Sequence, residues 1–456
     1  MNKKYFIALL IIYFIVRLPF FPLTLRGEEG IFADIFLNHP PGPQYQQMGR
    51  IDGKTIYEII EHPALIYETW ASAGSLWKKF FNPNTLGDLE LTVFLRFAFS
   101  AFEWLTWGLL FIGLAVVKPT WKNGREERCF YLALLLTMSW PGSLLNTTNI
   151  NIDATVGVLT TGLVCTSVLL FRNPNLKRWP LFALLFFGSF FFGFGKNELS
   201  LVYILALLAI GFVVMLGRYF KVLLGWREAV AILLVALIGN LAGNLFNYSF
   251  DPINYQAGWG ILNNRSTQAS LFETKDFGAW LLMTIERLPF FFLHLLYWNL
   301  IGCALWRTRR TIDFHLLFYF VFSSALFFGF FFSHSEVGSR YFEPSLIAFI
   351  FGFVLAFPLL DLSGRYNRAF IIMALIISVH ATAEIGSTIF RQIKNPTLQQ
   401  TRFVLPEEVL RVGCIPLLEQ ADVFNRPEID YAAYTGLAKK FENAGKKICP
   451  ISYTNR

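Results

Sequence analysis

The sequence predicts an all-α polytopic membrane protein with about 11 transmembrane helices. Three observations carry this. Hydrophobic residues make up 55% of the 456 positions and charged residues only 15%, against roughly 45–50% and about 25% in soluble domains. The apolar residues, 50 of them Phe, fall in runs of about 20, the length that crosses a bilayer core. Basic residues between the runs are distributed unequally on alternate sides. A soluble enzyme, a disordered tail and a secreted disulfide scaffold are excluded. The net charge of +8 reads as topology and not as a nucleic-acid footprint.

The spans fall at about 5–25, 91–117, 129–145, 152–171, 179–195, 199–217, 229–249, 280–305, 313–333, 341–360 and 369–389. With the N-terminus inside, the inner segments hold 17 Lys and Arg, from Lys3 and Lys4 to Arg365 and Arg368. The short outer loops hold only Lys196, Arg265, Lys275 and Arg340. The positive-inside rule then predicts N-in and C-out. The first span begins like a signal peptide, with Lys3-Lys4 before an apolar run. No small-residue cleavage pattern follows, and Arg17, Pro19 and Pro22 interrupt its end, so a retained helix is expected.

Two outer segments are long. The loop 26–90 is expected to carry amphipathic juxtamembrane helices. Ile56, Ile59 and Ile60 form one stripe, Pro63 breaks it, and Leu65 to Phe81 has the Tyr, Trp and Lys content of an interfacial helix. Residues 390–456 read as a small extracytoplasmic domain after a transmembrane domain at 1–389. Cys414 and Cys449 both fall there, as two free thiols or as a disulfide facing an oxidising compartment. Sequons stand at Asn146, Asn247 and Asn264, all on the expected outer side.

Ionisable residues at outer span ends are costly, which makes them functional candidates. After the first span comes Arg26-Gly27-Glu28-Glu29-Gly30-Ile31-Phe32-Ala33-Asp34-Ile35-Phe36. As a helix, it lays Glu28 and Glu29 along an apolar stripe, where a desolvated carboxylate can accept a proton near neutral pH. The same residues also suit a helix first turn. Gly53-Lys54 precedes Glu61-His62-Pro63-Ala64-Leu65-Ile66-Tyr67. Asp153 opens a span, as a cap or as part of a site. Lys196, in the turn Gly193-Phe194-Gly195-Lys196-Asn197-Glu198, is an anion anchor or a snorkelling lysine. In His334-Ser335-Glu336-Val337-Gly338-Ser339-Arg340-Tyr341-Phe342-Glu343-Pro344, Arg340 can hold a phosphate or pair with Glu336 or Glu343. Within the spans, Arg96 is placed to pair with Glu103 one face along. No spacing matches a zinc site, a P-loop or a dinucleotide fingerprint.

At these residues the sequence resembles the C-type (GT-C) superfold of integral membrane glycosyltransferases, in the protein O-mannosyltransferase and lipid A aminoarabinose transferase group. The group's D-E-x-x-Y-A-E-I-A motif is matched by Glu28-Glu29-Gly30-Ile31-Phe32-Ala33-Asp34-Ile35-Phe36. Its Gly and K-P-P-L or H-P-P-L elements are matched by Gly53-Lys54 and His62-Pro63-Ala64-Leu65. Its T-K-G-P turn is similar to Gly195-Lys196-Asn197-Glu198, its R-Y-x-x-P to Arg340-Tyr341-Phe342-Glu343-Pro344, and its helix-opening Asp to Asp153.

The resemblance implies an inverting transfer of a sugar from a polyprenyl-phosphate-linked donor to a lipid, glycan or protein acceptor on the outer face of a bacterial cytoplasmic (inner) membrane. It implies Glu28, with Glu29, at the catalytic acidic position. Lys196, Arg340 and Tyr341 would meet the donor phosphate. Lys54, His62, Asp153, His334 and Glu336 would line the site. No cofactor is implied with certainty; a divalent metal is compatible but not indicated. Glu28 stands where the group has Asp, and Asn197-Glu198 where it has Gly-Pro, so the sugar stays open. A transporter or flippase of a lipid-linked glycan is the alternative. The spans lack the matched pair of interruptions such transporters often carry.

Overall fold

The computed structural model describes residues 3–18, 45–51, 54–59, 64–80, 88–117, 124–138, 152–216, 225–252, 277–333 and 342–360. It also describes residues 21, 36, 41–42, 221–222, 255–256 and 259, and scattered positions within 368–386. Side chains at 3, 45–51, 54–59, 64, 66–67, 88–92, 125, 152–155, 221–222, 277–290 and 331–333 are outside the description.

Eleven α-helices stand among the described residues: α1 Lys3–Arg17, α2 Ala64–Phe80, α3 Asp88–Val117, α4 Gly124–Met138, α5 Ile152–Leu170, α6 Arg178–Gly195, α7 Asn197–Met215, α8 Trp226–Phe250, α9 Phe277–Arg307, α10 Phe314–Ser333 and α11 Glu343–Ala356. All but α2 fall on an expected span. Among the described residues, four helical segments are long and apolar enough to cross a membrane: Val93–Val117, Arg178–Gly195, Asn197–Met215 and Trp226–Phe250. Val156–Leu170, Phe314–Phe330 and Glu343–Leu359 are shorter apolar helices. Only scattered positions of the expected span 369–389 are described, and the C-terminal segment with Cys414 and Cys449 lies outside the described residues.

The all-α expectation needs one amendment. The stripe expected to be helical at Ile56 and Ile59 is a strand. Tyr45–Ile51 (β1) and Lys54–Ile59 (β2) pair antiparallel, with Ile51 opposite Lys54. The intervening Asp52-Gly53 is a dipeptide that favours two-residue hairpins, and β2 is rich in β-branched and aromatic residues. A three-residue match to helical spacing was too short to outweigh them.

Two further short strands, Lys221–Val222 (β3) and Thr311–Ile312 (β4), pair in parallel. They bring the α7–α8 and α9–α10 connections to one end of the bundle. Arg172, in the α5–α6 turn, reaches Asp313 at 3.6 Å at that same end. Arg178 pairs with Glu228 at 3.3 Å beside it. The opposite end receives the α6–α7 turn and the starts of α5 and α11.

The helix bundle is held by a single large apolar cluster built from α1, α3–α11. Because lipid offers no hydrophobic drive for helices to associate, close packing of small residues must supply it. The α6–α8 crossing is of this kind. A methyl at Gly243 would collide with the Phe190 carbonyl, and one at Gly193 with the Asn240 carbonyl. Gly243→Val should therefore separate α6 from α8 and lower the thermal midpoint in detergent by several degrees, equivalent to about 1–3 kcal/mol of overpacking. An unchanged midpoint would refute the crossing.

Asn247 is buried inside α8. Its sequon is therefore not an available glycosylation acceptor, although the sequence alone placed it outside. A span end and a loop are hard to tell apart when α8 runs through to Phe250.

Candidate functional site

α6 ends in Phe192-Gly193-Phe194-Gly195 and α7 begins at Asn197, leaving Lys196 alone between two helices in extended backbone. Its N–H donates to the Phe192 carbonyl at 3.4 Å, and the Ser200 N–H donates to its carbonyl at 2.9 Å. The turn is thus closed on both sides and the Lys196 side chain is held, not trailing. Lys196 is only 7% exposed. Its Nζ lies 3.0 Å from Glu198 Oε2 and 5.8 Å from the Phe330 ring centroid. A snorkelling lysine would carry its ammonium to water. This one keeps it inside the protein, paired and over an aromatic ring.

Several chain segments converge on this turn. A methyl at Gly195 would collide with Val156 of α5 and lie 3.5 Å from Leu65 of α2. One at Gly157 would lie 3.1 Å from Pro344 of α11 and 3.2 Å from Leu199 of α7. Leu65 follows His62 by three residues, Val156 follows Asp153 by three, Phe330 precedes His334 by four, and Pro344 follows Arg340 by four. Phe194, two residues before Lys196, shares a second apolar cluster with Phe36, Trp70, Leu95 and Phe99. Phe36 closes the stretch that opens with Glu28-Glu29.

Glu28, Glu29, His62, His334, Glu336, Arg340 and Tyr341 themselves lie outside the described residues, as do the side chains of Lys54 and Asp153. Among the described residues no group of three His, Cys, Asp or Glu side chains has the geometry of a metal site.

The start of α11, just after Arg340-Tyr341, is anchored from α9. His294 Nε2 and Ser345 Oγ are 2.6 Å apart, and Ser345 Oγ donates to the Phe342 carbonyl at 2.7 Å. The contact ties α11 to α9 with either imidazole tautomer. His294 was not singled out from sequence; a lone His in a Phe-rich span gives no spacing signal.

Beside the turn, an apolar cleft of about 340 Å³ opens between α2 and α3, lined by Phe36, Trp70, Leu76, Trp77, Phe94 and Phe102. On α2, Glu68 Oε1 accepts from the Gly42 N–H at 2.7 Å. Burial raises its pKa, the Gly42 bond opposes that, and the nearby Asp251 adds to it, leaving the carboxyl above the usual carboxylate range.

The expected Arg96–Glu103 pair is not the one formed. Glu103 instead pairs with Arg17 at 2.9 Å, and Arg96 Nη1 reaches the Phe21 carbonyl at 3.5 Å. Spacing within α3 could not reveal a partner contributed by α1.

No protein-family model and no curated protein sequence matches the chain. Two solved structures do match. The crystal structure of ArnT from Cupriavidus metallidurans in the apo state gives a TM-score of 0.51 at 15% identity, covering 97% of this chain and 78% of that one. The structure of the same protein bound to undecaprenyl phosphate gives 0.52 at 15% identity, covering 98% and 78%.

The chain has the fold of ArnT. That is the fold which the ordered motifs around Glu28, Lys196 and Arg340 led us to expect. The likeness runs through nearly the whole chain.

Proposed function

We propose that the protein is an inverting glycosyltransferase that uses a polyprenyl-phosphate-linked sugar at the Lys196 end of the bundle. One observation carries the reading. A buried lysine sits where four chain segments converge, in the fold of a protein solved with undecaprenyl phosphate bound. The Lys196 ammonium, paired with Glu198 at 3.0 Å, can exchange that carboxylate for the phosphodiester of a lipid-linked sugar, an anion that reaches such a site from the membrane. The aromatic cleft between α2 and α3 suits the isoprenoid chain. The collection of Arg172, Arg178, Lys221 and Arg309 at the other end supports an N-in orientation with the Lys196 end outward; on the same proposal the protein lies in the inner membrane of a bacterium, with 11 spans.

In this reaction Glu28, assisted by Glu29, takes the proton of the acceptor hydroxyl. The oxygen attacks the anomeric carbon from the face opposite the phosphate, the bond from that carbon to the phosphate oxygen breaks, and polyprenyl phosphate departs. Lys196 and Arg340 stabilise the charge that grows on the departing phosphate. Tyr341, His62, Lys54, Asp153, His334 and Glu336 complete the lining.

The test is transfer by purified protein, or glycan composition in cells, with Glu28→Gln and Glu29→Gln made separately. Glu28→Gln should lower the rate by roughly 10²–10⁴-fold, the range of a general base. Full activity in both variants would refute the mechanism.

A further inference from the structure

Polar side chains in an apolar span are costly, and α8 carries several on one face: Asn240, Asn244 and Asn247, followed by Asp251. The facing start of α7 contributes Asn197 and Ser200 directly after Lys196. Ser200 Oγ donates to Asn240 Oδ1 at 2.8 Å. Asn244 Nδ2 donates to Ser200 Oγ at 2.6 Å and to the Asn240 carbonyl at 3.0 Å. Tyr255 OH donates to Asn244 Oδ1 at 3.4 Å. Interhelical amide bonds of this sort are ordinary glue between membrane helices.

Glue does not account for two atoms. Asn240 Nδ2 and Asn197 Oδ1 are buried and have no hydrogen-bond partner among the described residues. Asn240 is 0% exposed and Asn197 8%. An amide flip does not remove the first: Asn244 Nδ2 is oriented by its bond to a main-chain carbonyl and also points at Asn240 Oδ1 at 3.2 Å, so a flipped Asn240 would set two NH₂ groups against each other. Such atoms cost free energy unless something binds them. The first is a donor; the Asn197 amide turns its oxygen inward as placed and its NH₂ inward when flipped. Asn197 lies three residues before Ser200, on the same face of α7, and Ser200 touches Asn240. A hydroxyl group, both donor and acceptor, complements either arrangement.

We propose that the Asn197–Ser200–Asn240–Asn244 face is the subsite for the sugar hydroxyls of the lipid-linked donor, next to the phosphate anchor Lys196. This rests on the glycosyltransferase reading above and adds where the sugar is held. Neutral amides suit it, because they orient hydroxyls without adding charge beside the phosphate.

The experiment uses full-length protein in nanodiscs. Binding is measured for undecaprenyl phosphate and for a panel of undecaprenyl-phosphate monosaccharides, hexose, pentose and amino sugar. In the wild type at least one panel member binds about tenfold tighter than the bare lipid, the worth of roughly one to two hydrogen bonds. Asn197→Ala and Asn240→Ala, which only remove atoms, abolish that advantage and leave bare-lipid affinity unchanged. The bare lipid is thus the folding control. The subsite is overturned if no panel member binds tighter than the bare lipid, if the advantage survives in both variants, or if sugar-bearing and bare lipid weaken together. Failure of the underlying reading has a different signature: undecaprenyl phosphate does not bind, or its affinity is unmoved by Lys196→Ala.

Discussion

Lys196→Ala is expected to lower transfer by about 10²–10³-fold, the loss seen when one charge-stabilising donor is removed from a departing oxyanion. It should also weaken undecaprenyl phosphate binding at least tenfold. The competing account is that Lys196 exists only to pair with Glu198, 3.0 Å away. Glu198→Gln separates the two. If Lys196 anchors phosphate, Glu198 competes with the ligand, and removing its charge should tighten undecaprenyl phosphate binding several-fold. The same change leaves a buried ammonium without its carboxylate, so the ligand-free protein becomes less stable. The thermal shift produced by the ligand should then exceed that of the wild type. A purely structural pair also predicts a lower melting temperature for Glu198→Gln, but the lipid then neither binds better nor restores it. The measurements are a thermal-shift titration and a binding isotherm on the same preparations.

How far the sequence reached follows from which forces are local. Helix positions were legible because a bilayer imposes a length and a composition on each span, and α3, α6, α7 and α8 meet both. Lys196 was legible because a charge in a short turn between two apolar runs stands out. Its burial was not. It depends on Phe330 from α10 and on Glu198, and no local pattern reports a contact 134 residues away in the chain. The hairpin at Tyr45–Ile59 was missed although Asp52-Gly53 signals it, because a three-residue match to helical spacing was preferred over turn chemistry. The Asn face of α8 was readable in principle, since Asn240, Asn244 and Asn247 recur at helical spacing. Amides mark a buried face more weakly than charges do, because they cost less in an apolar span. His294 and the partner of Glu103 carry no such pattern; both are set by tertiary packing alone.

The partner of Glu103 leads to the second large effect. Arg17, 1% exposed, ends α1 and donates from Nη2 to Glu103 Oε1 at 2.9 Å and to the Met138 carbonyl at 2.8 Å. Its Nη1 donates to the Tyr13 carbonyl at 3.2 Å, and its Cζ sits 3.5 Å over the Tyr13 ring. Glu103 Oε1 also accepts from Tyr13 OH at 2.9 Å and Trp107 Nε1 at 3.0 Å. One guanidinium therefore ties α1 to α3 and to the end of α4. Arg17→Met should cost about 3–5 kcal/mol, because it leaves the Glu103 carboxylate buried without its cation. Glu103→Leu should cost a similar amount by removing the carboxylate opposite the buried Arg17 guanidinium. The double variant Arg17→Met with Glu103→Leu should lose far less than the sum, since no uncompensated charge remains. Arg17→Lys should recover only part of the loss, as an ammonium cannot reproduce the fork that meets Glu103, Met138 and Tyr13 together. A double-mutant cycle of unfolding free energies reads these four values. Additivity of the two single changes would refute the pair. Because α1 leads directly into the stretch bearing Glu28, the single variants should also lose transfer activity in proportion to the folded fraction. The double variant should regain both together. Recovery of stability without recovery of activity would instead assign Arg17 a further role in setting the height of that stretch above the bundle.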